Sequence, residues 1–237
     1  MTFVGIIFIL FIILGGYIGW RKGALRELIN LLGLIAIMIL SFQFKDFIGT
    51  YIIRYMPFFD FGGNYTGILT ANILFYQTIS FLIVFLLLFC ILNILINISG
   101  MVEVLDRITK VFEIPSKIAG VLFGALTSIA YIFLVVFVTL SIPNTAGLMM
   151  KDNVAMTIVK QTPVLSTVFG FSIRVEQKQY FIVQDHKKDE EGVKNAEINI
   201  ASELVTNDVA EADLIQELID KHKLNLENVT IHSAKSK

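Results

Sequence analysis

The side chains able to do chemistry are few and scattered. His186, His222 and His232 all fall near the C-terminal end. A zinc site needs three or four His, Cys or carboxylate ligands at short, fixed spacings, and no cysteine or helix-spaced carboxylate accompanies these histidines. The lone Cys90 excludes an intramolecular disulfide. It sits in an apolar run with nothing near it to lower its pKa, so it reads as a small buried hydrophobe rather than a nucleophile. HExxH, GxSxG and P-loop patterns are absent. Gly15-Gly16 and Gly62-Gly63 lack the strand–helix setting of a nucleotide fingerprint. Asn64-Tyr65-Thr66 and Asn228-Val229-Thr230 fit a glycosylation pattern that matters only in a eukaryote. No catalytic residue, metal or cofactor is expected, and no enzyme.

What remains is polarity set inside apolar sequence. Cys90, Asn93 and Asn97 stand at i, i+3 and i+7, on one face of a helix. The structural reading is an interhelical hydrogen bond, worth about 0.6–2 kcal/mol in a membrane. The functional reading is a polar lining for a path, and the structural one is preferred. Ionisable residues usually mark pumps and proton relays, and none is expected within a span core, which disfavours a coupled transporter.

These residues need a membrane to position them. The 237 residues are 55% hydrophobic and 16% charged, with a mean hydropathy of +0.74. A soluble domain is roughly 45–50% apolar and about 25% charged. A bilayer core about 30 Å thick requires roughly 20 mostly apolar residues per spanning helix. Four segments qualify, at about 3–20, 25–44, 74–98 and 118–140. The fold class is therefore an all-α integral membrane protein with four transmembrane helices, short interfacial helices and a polar C-terminal tail. The first segment is not read as a cleaved signal, because its basic residues follow the apolar run instead of preceding it.

Arg21, Lys22 and Arg26 crowd the first connection, and Arg107, Lys110 and Lys117 the third; the second holds only Lys45 and Arg54. By the positive-inside rule, connections one and three face the cytoplasm and both termini lie outside. Arg21, Lys22 and Arg26 are then topology anchors, and no ligand is needed to explain them.

Gly15, Gly19 and Gly23 form a small-residue stripe; Ser116, Gly120, Gly124 and Ser128 form another. In lipid, helices associate by close van der Waals contact, which such residues permit. The two stripes read as docking faces of a glycine zipper, either within one bundle or between copies, which leaves a homo-oligomer open.

The second connection, Lys45 to Gly67, is aromatic-rich. Tyr51, Tyr55, Phe58, Phe59 and Tyr65 fit an interfacial belt, Gly62-Gly63-Asn64 reads as a turn, and a short interfacial helix is expected. The third, Met101 to Lys117, has the spacing of a helix on the inner surface, ended before Pro115. Val154 to Val168, broken by Pro163, reads as two short helices along the outer surface.

Acidic residues outnumber basic ones beyond Val183. The reading is a membrane domain over 1–172 and a polar acidic tail over 173–237. Asp185 to Gly192 is a solvated linker. Residues 208–222 form an amphipathic helix, with Asp208 and Glu211 as a capping box. One such helix is marginal alone, so the tail either docks, with 185–237 as the contact for a protein partner, or frays. The lipid bilayer is the expected partner; nucleic acid is not one, because no basic patch is interleaved with aromatics.

Gly19-Trp20-Arg21-Lys22-Gly23, followed by Leu25-Arg26-Glu27-Leu28, together with the later Gly120-Val121-Leu122-Phe123-Gly124, resembles the bacterial CvpA family, the colicin V production proteins. The likeness covers roughly residues 1–172. It implies a four-span protein of the bacterial cytoplasmic membrane, associated with production of a secreted toxin and with envelope stress and homeostasis. Some relatives carry a protease domain after the fourth span; nothing here matches one, so the resemblance carries over no catalytic residue. It leaves a scaffold or export accessory as the expected role, with a small channel or transporter component as the alternative.

Overall fold

A computed structural model describes residues 2–98, 113–224 and 226. Every regular element among them is helical. Four helices are long and apolar enough to cross a membrane: α1 (Phe3–Lys22), α2 (Ala24–Tyr55), α3 (Ala71–Ile98) and α4 (Glu113–Ser141). The chain is an all-α, multi-pass membrane protein. The inner-surface helix expected over 101–117 lies, up to residue 112, outside the described residues. So do His232, Asn228 to Thr230 and the side chain of Asn97.

α1 ends where Gly23 takes a φ of +83° and its N–H donates to the Gly19 carbonyl at 2.9 Å. Only glycine adopts that φ freely, so Gly23 is the turn between α1 and α2 as well as a member of the stripe. α2 starts at once, its Ala24 N–H donating to Ser116 Oγ of α4 at 3.0 Å. The helices stand in the order α1, α4, α2, α3, so α1 and α2 are joined in sequence but separated by α4, against which both pack, α2 resting still more extensively on α3.

The α1–α4 seam is made of bare backbone. A Cβ built on Gly19 overlaps the Gly120 carbonyl and reaches to 3.0 Å from Gly124 Cα; one built on Gly124 overlaps the Gly15 carbonyl. One on Gly120 overlaps Gly19 and comes within 3.1 Å of the Gly23 carbonyl carbon, and one on Gly15 lands on Ser128. Both stripes are therefore spent on each other within one chain.

α2 runs eleven residues past the expected end at 44, to Tyr55. Lys45 suggested a membrane edge, but a charge does not stop a helix. The stop is Pro57, which forces the residue before it, Met56, into an extended conformation. The expected interfacial helix is thus the tail of α2. Tyr51 and Tyr55 are exposed, whereas Tyr65 is buried. Gly62 and Gly63 make the expected turn, both with positive φ, leading into the 3-10 turn Gly63–Tyr65. Cys90 is exposed, not buried.

Beyond α4 come α5 (Ala146–Met150), α6 (Asn153–Gln161), α7 (Leu165–Asp185), α8 (Glu190–Thr206) and α9 (Ala212–Asp220). Pro163 separates α6 from α7, but α7 does not lie on a surface. Its Phe169 is fully buried among Phe42, Phe81, Phe133 and Phe137, with ring centroids 4.3–5.7 Å away. The expected division at 172/173 falls inside α7, whose Phe169 and Ile173 join the core between the spanning helices. Its Val175 and Val183 join a second core with Ile53, Leu74, Ile200 and Leu218.

Residues 173–224 are therefore a folded cap on one end of the membrane helices. The linker expected at 185–192 is only a short turn, after which Asp189 caps α8 through the Gly192 N–H at 2.8 Å. The helix expected over 208–222 spans Ala212–Asp220. Asp208 has φ +53° and lies outside it, and Glu211 is the N-cap with no side-chain cap bond.

Overpacking a core costs about 1–3 kcal/mol, and here neither main chain can step aside. Gly19→Ala and Gly124→Ala are each expected to cost at least about 3 kcal/mol. At Gly170 of α7 a Cβ meets nothing nearer than the flexible Arg174 Nη1, at 3.6 Å, so Gly170→Ala should be neutral or stabilising by up to about 1 kcal/mol. Thermal unfolding of the detergent-solubilised variants checks this; equal melting of Gly19→Ala and Gly170→Ala would refute the seam.

Candidate functional site

A helix leaves its first N–H and last C=O groups without intrahelical partners. At the end of the bundle where α1 and α3 begin and α2 and α4 finish, each helix is held by one side chain from the later part of the chain.

Asp152 takes α1. It accepts from the Gly5 N–H at 3.1 Å and from the Thr2 hydroxyl, and it also N-caps α6 through the Ala155 N–H at 2.8 Å. Burial pushes its pKa up, but the donors from Thr2, Ala155, Val154 and Gly5 win and hold the carboxyl below the usual range.

Glu197 of α8 takes α3. Its Oε1 accepts the Leu69 and Thr70 N–H groups at 2.6 and 3.1 Å, just ahead of Ala71. Burial raises the Glu197 pKa against the pull of those two donors.

Lys223 takes α2. Its Nζ donates to the carbonyls of Arg54 and Met56 at 2.7 and 2.9 Å, and beside it Arg54 pairs with Glu217 of α9 at 2.9 Å. Finally, Glu176 of α7 takes α4, accepting the hydroxyl of its last residue, Ser141.

A second layer ties the seam together. Lys45 of α2 is 5% exposed, and its Nζ donates to Asp46 at 2.6 Å and to Gln77 Oε1 of α3. The ammonium also sits 4.9 Å from the Phe42 ring. Gln77 Nε2 donates in turn to the Val209 carbonyl, ahead of α9, at 2.8 Å. One amide thus joins two spanning helices to the cap. Lys45, one residue past the expected end of the second span, lies within the helix because α2 continues around it.

None of these residues stood out in the sequence, yet two signals were present. Glu176 and Gln179 fall on the apolar stripe that runs through Phe169, Ile173 and Val183; Glu197 falls on the stripe of Val193, Ile200 and Leu204. A polar residue on a buried stripe has a partner to find.

The residues singled out beforehand lie elsewhere. Arg21, Lys22 and Arg26 sit at the opposite end, where Lys22 approaches the buried Glu27 at 3.6 Å. Asn93 is exposed and donates to the Phe89 carbonyl of its own helix at 2.8 Å. That bond is neither interhelical nor in a described path.

His186 and His222 do come together. They line one groove of about 980 Å³ in the cap, with Asp189, Glu190 and Asp220. Among the described residues no cluster of three His, Cys or acidic side chains is placed to hold a metal. The arrangement can clamp helices and present a polar surface.

Removing the Glu197 carboxylate strands two buried N–H donors, at about 1–3 kcal/mol. Glu197→Ala should therefore lower the melting temperature clearly, while Glu197→Gln, which keeps an acceptor oxygen, should recover most of the loss. Equal melting of the two variants in detergent would show that the cap bond does not hold α3.

A family model described as Colicin V production protein matches residues 4–163. No curated protein and no solved structure matches the chain.

Proposed function

Since the chain belongs to the colicin V production family, we propose that it is a non-enzymatic scaffold of the bacterial cytoplasmic membrane, serving toxin production and export and the upkeep of the envelope. Its working surface is the cap. The observation behind this reading is that three of the four helix ends on one side are gripped by side chains of the cap, Glu176, Glu197 and Lys223, and the fourth by Asp152 ahead of α6.

The cluster Arg21, Lys22 and Arg26 supports an orientation with the opposite end in the cytoplasm and the cap outside. The partner is a different protein and not a second copy docked through glycine, because Gly15, Gly19, Gly120 and Gly124 already face each other. The groove with His186 and His222 is the polar surface it would meet. The alternative, a small channel lined by Asn93 and Asn97, has less support, since the Asn93 amide is occupied by its own helix.

Lys188 lines the cap groove, and a thiol there reports sidedness. In a Cys90→Ala background, Lys188→Cys should react with a membrane-impermeant maleimide in intact cells with a permeabilised outer membrane. Labelling only after the inner membrane is breached would reverse the orientation. Solute flux through liposomes containing this protein alone, lost in Asn93→Leu, would favour the channel instead.

A further inference from the structure

Three of the four end-grips obey the helix dipole, which favours anions at N-termini and cations at C-termini. Asp152 and Glu197 meet the N-terminal ends of α1 and α3, and Lys223 meets the C-terminal end of α2. Glu176 breaks the rule. It is an acid at the C-terminal end of α4, bound to Ser141, where a carboxylate faces the negative pole.

A second observation lies one turn along α7. Glu176 Oε2 and Gln179 Oε1 are both buried and both without a hydrogen-bond partner, and residues three apart share a helix face. Both atoms are acceptors, so neither can satisfy the other as drawn. One hydrogen would serve both.

We propose that Glu176 is a proton-binding site, carrying a neutral carboxyl whose Oε2–H donates to Gln179 Oε1, and that this proton latches α7 to the end of α4. Taking up the proton removes the anion from the pole of α4 and fills both empty acceptors. Releasing it leaves a carboxylate 2% exposed, which costs hydration with little return.

The groups facing the site agree. Burial pushes Glu176 up to about 8, with the Ser141 bond and the field of Lys45 pulling the other way. Lys45, on α2, is shared with Asp46 and with Gln77 of α3. Tyr65, of the 3-10 turn, is pushed up by burial to about 12 against the pull of the Gln179 amide, so it keeps its proton where Glu176 titrates. The latch is the same whichever side of the membrane the cap faces and whatever partner it serves.

The sign follows from linkage. The ordinary value for a Glu is 4.5 and the folded value is about 8. The latch proton stays bound until pH nears 8, and the stabilisation it gives is full below about pH 4.5 and lost as pH rises through 8.

The test uses the full chain in detergent or liposomes. Infrared spectra titrated from pH 5 to 9 should show a protonated carboxyl C=O band at pH 6–7, present in the wild type and missing from Glu176→Gln. Hydrogen exchange over α7, corrected for intrinsic rates, should lose at least about tenfold protection between pH 6 and 9 in the wild type, since one pKa unit is a tenfold factor. Glu176→Gln, whose amide can donate in place of the proton, should lose none.

Gln179→Leu separates the two ways of pairing. If Glu176 donates to Gln179, losing the acceptor moves the titration to lower pH. If instead the Gln179 amide donates to an ionised Glu176, losing it moves the titration up, and the proposal falls. Absence of the carboxyl band at pH 6–7 would also overturn it. Should Glu176→Gln fail to fold, the wild-type titration and Gln179→Leu still decide.

Discussion

A lipid-embedded helix has no hydrophobic reason to leave the lipid, so this structure depends on how closely two main chains can approach. At Gly15, Gly19, Gly120 and Gly124 they come so near that a methyl group has no room on either side. That seam sets α4 against α1, and α4 in turn sets the distance at which α2 can pack. α2 then carries α3 on its far side. The turn at Gly23 follows from the same demand, since α1 must release the chain to α2 while its own last turn stays against Gly120.

The helix ends present a different problem. Along its length each spanning helix satisfies its own main chain; at its ends it cannot. Here Asp152, Glu197 and Lys223 answer main-chain groups at one end each, while Glu176 holds the fourth end through the Ser141 hydroxyl. This explains why the later segment is a cap and not a tail. Its helices are short and would be marginal alone, but they share a core with Ile53 and Leu74 of the spanning helices, and their charged side chains are satisfied by groups those helices cannot satisfy themselves. Seam and cap are complementary: one fixes spacing within the membrane, the other fixes register at its surface.

For function, the consequence is a rigid connection between membrane and surface. Gln77 reaches Lys45 on one side and Val209 on the other, so movement at the cap must strain α2 or α3.

Spanning helices could be read from residue order because apolar run length is a local property, and so could the glycine stripes, because i, i+4 spacing is set by the helix itself. Pro163 marked a real break for the same reason. The end of α2 was misplaced because Lys45 is charged, and whether a charge is solvated or buried depends on Gln77 and Phe42, 32 residues downstream and three upstream. α8 went unseen because Glu197 interrupts its apolar stripe, and that interruption makes sense only beside Leu69 and Thr70. Class of fold, number of crossings and the faces able to touch are thus written in short stretches of chain, where geometry repeats every few residues. Which faces meet, which acids are buried and whether the acidic end is folded follow from contacts across 30 to 170 residues. Those contacts carry no periodic signal, because their partners are fixed by packing and not by spacing.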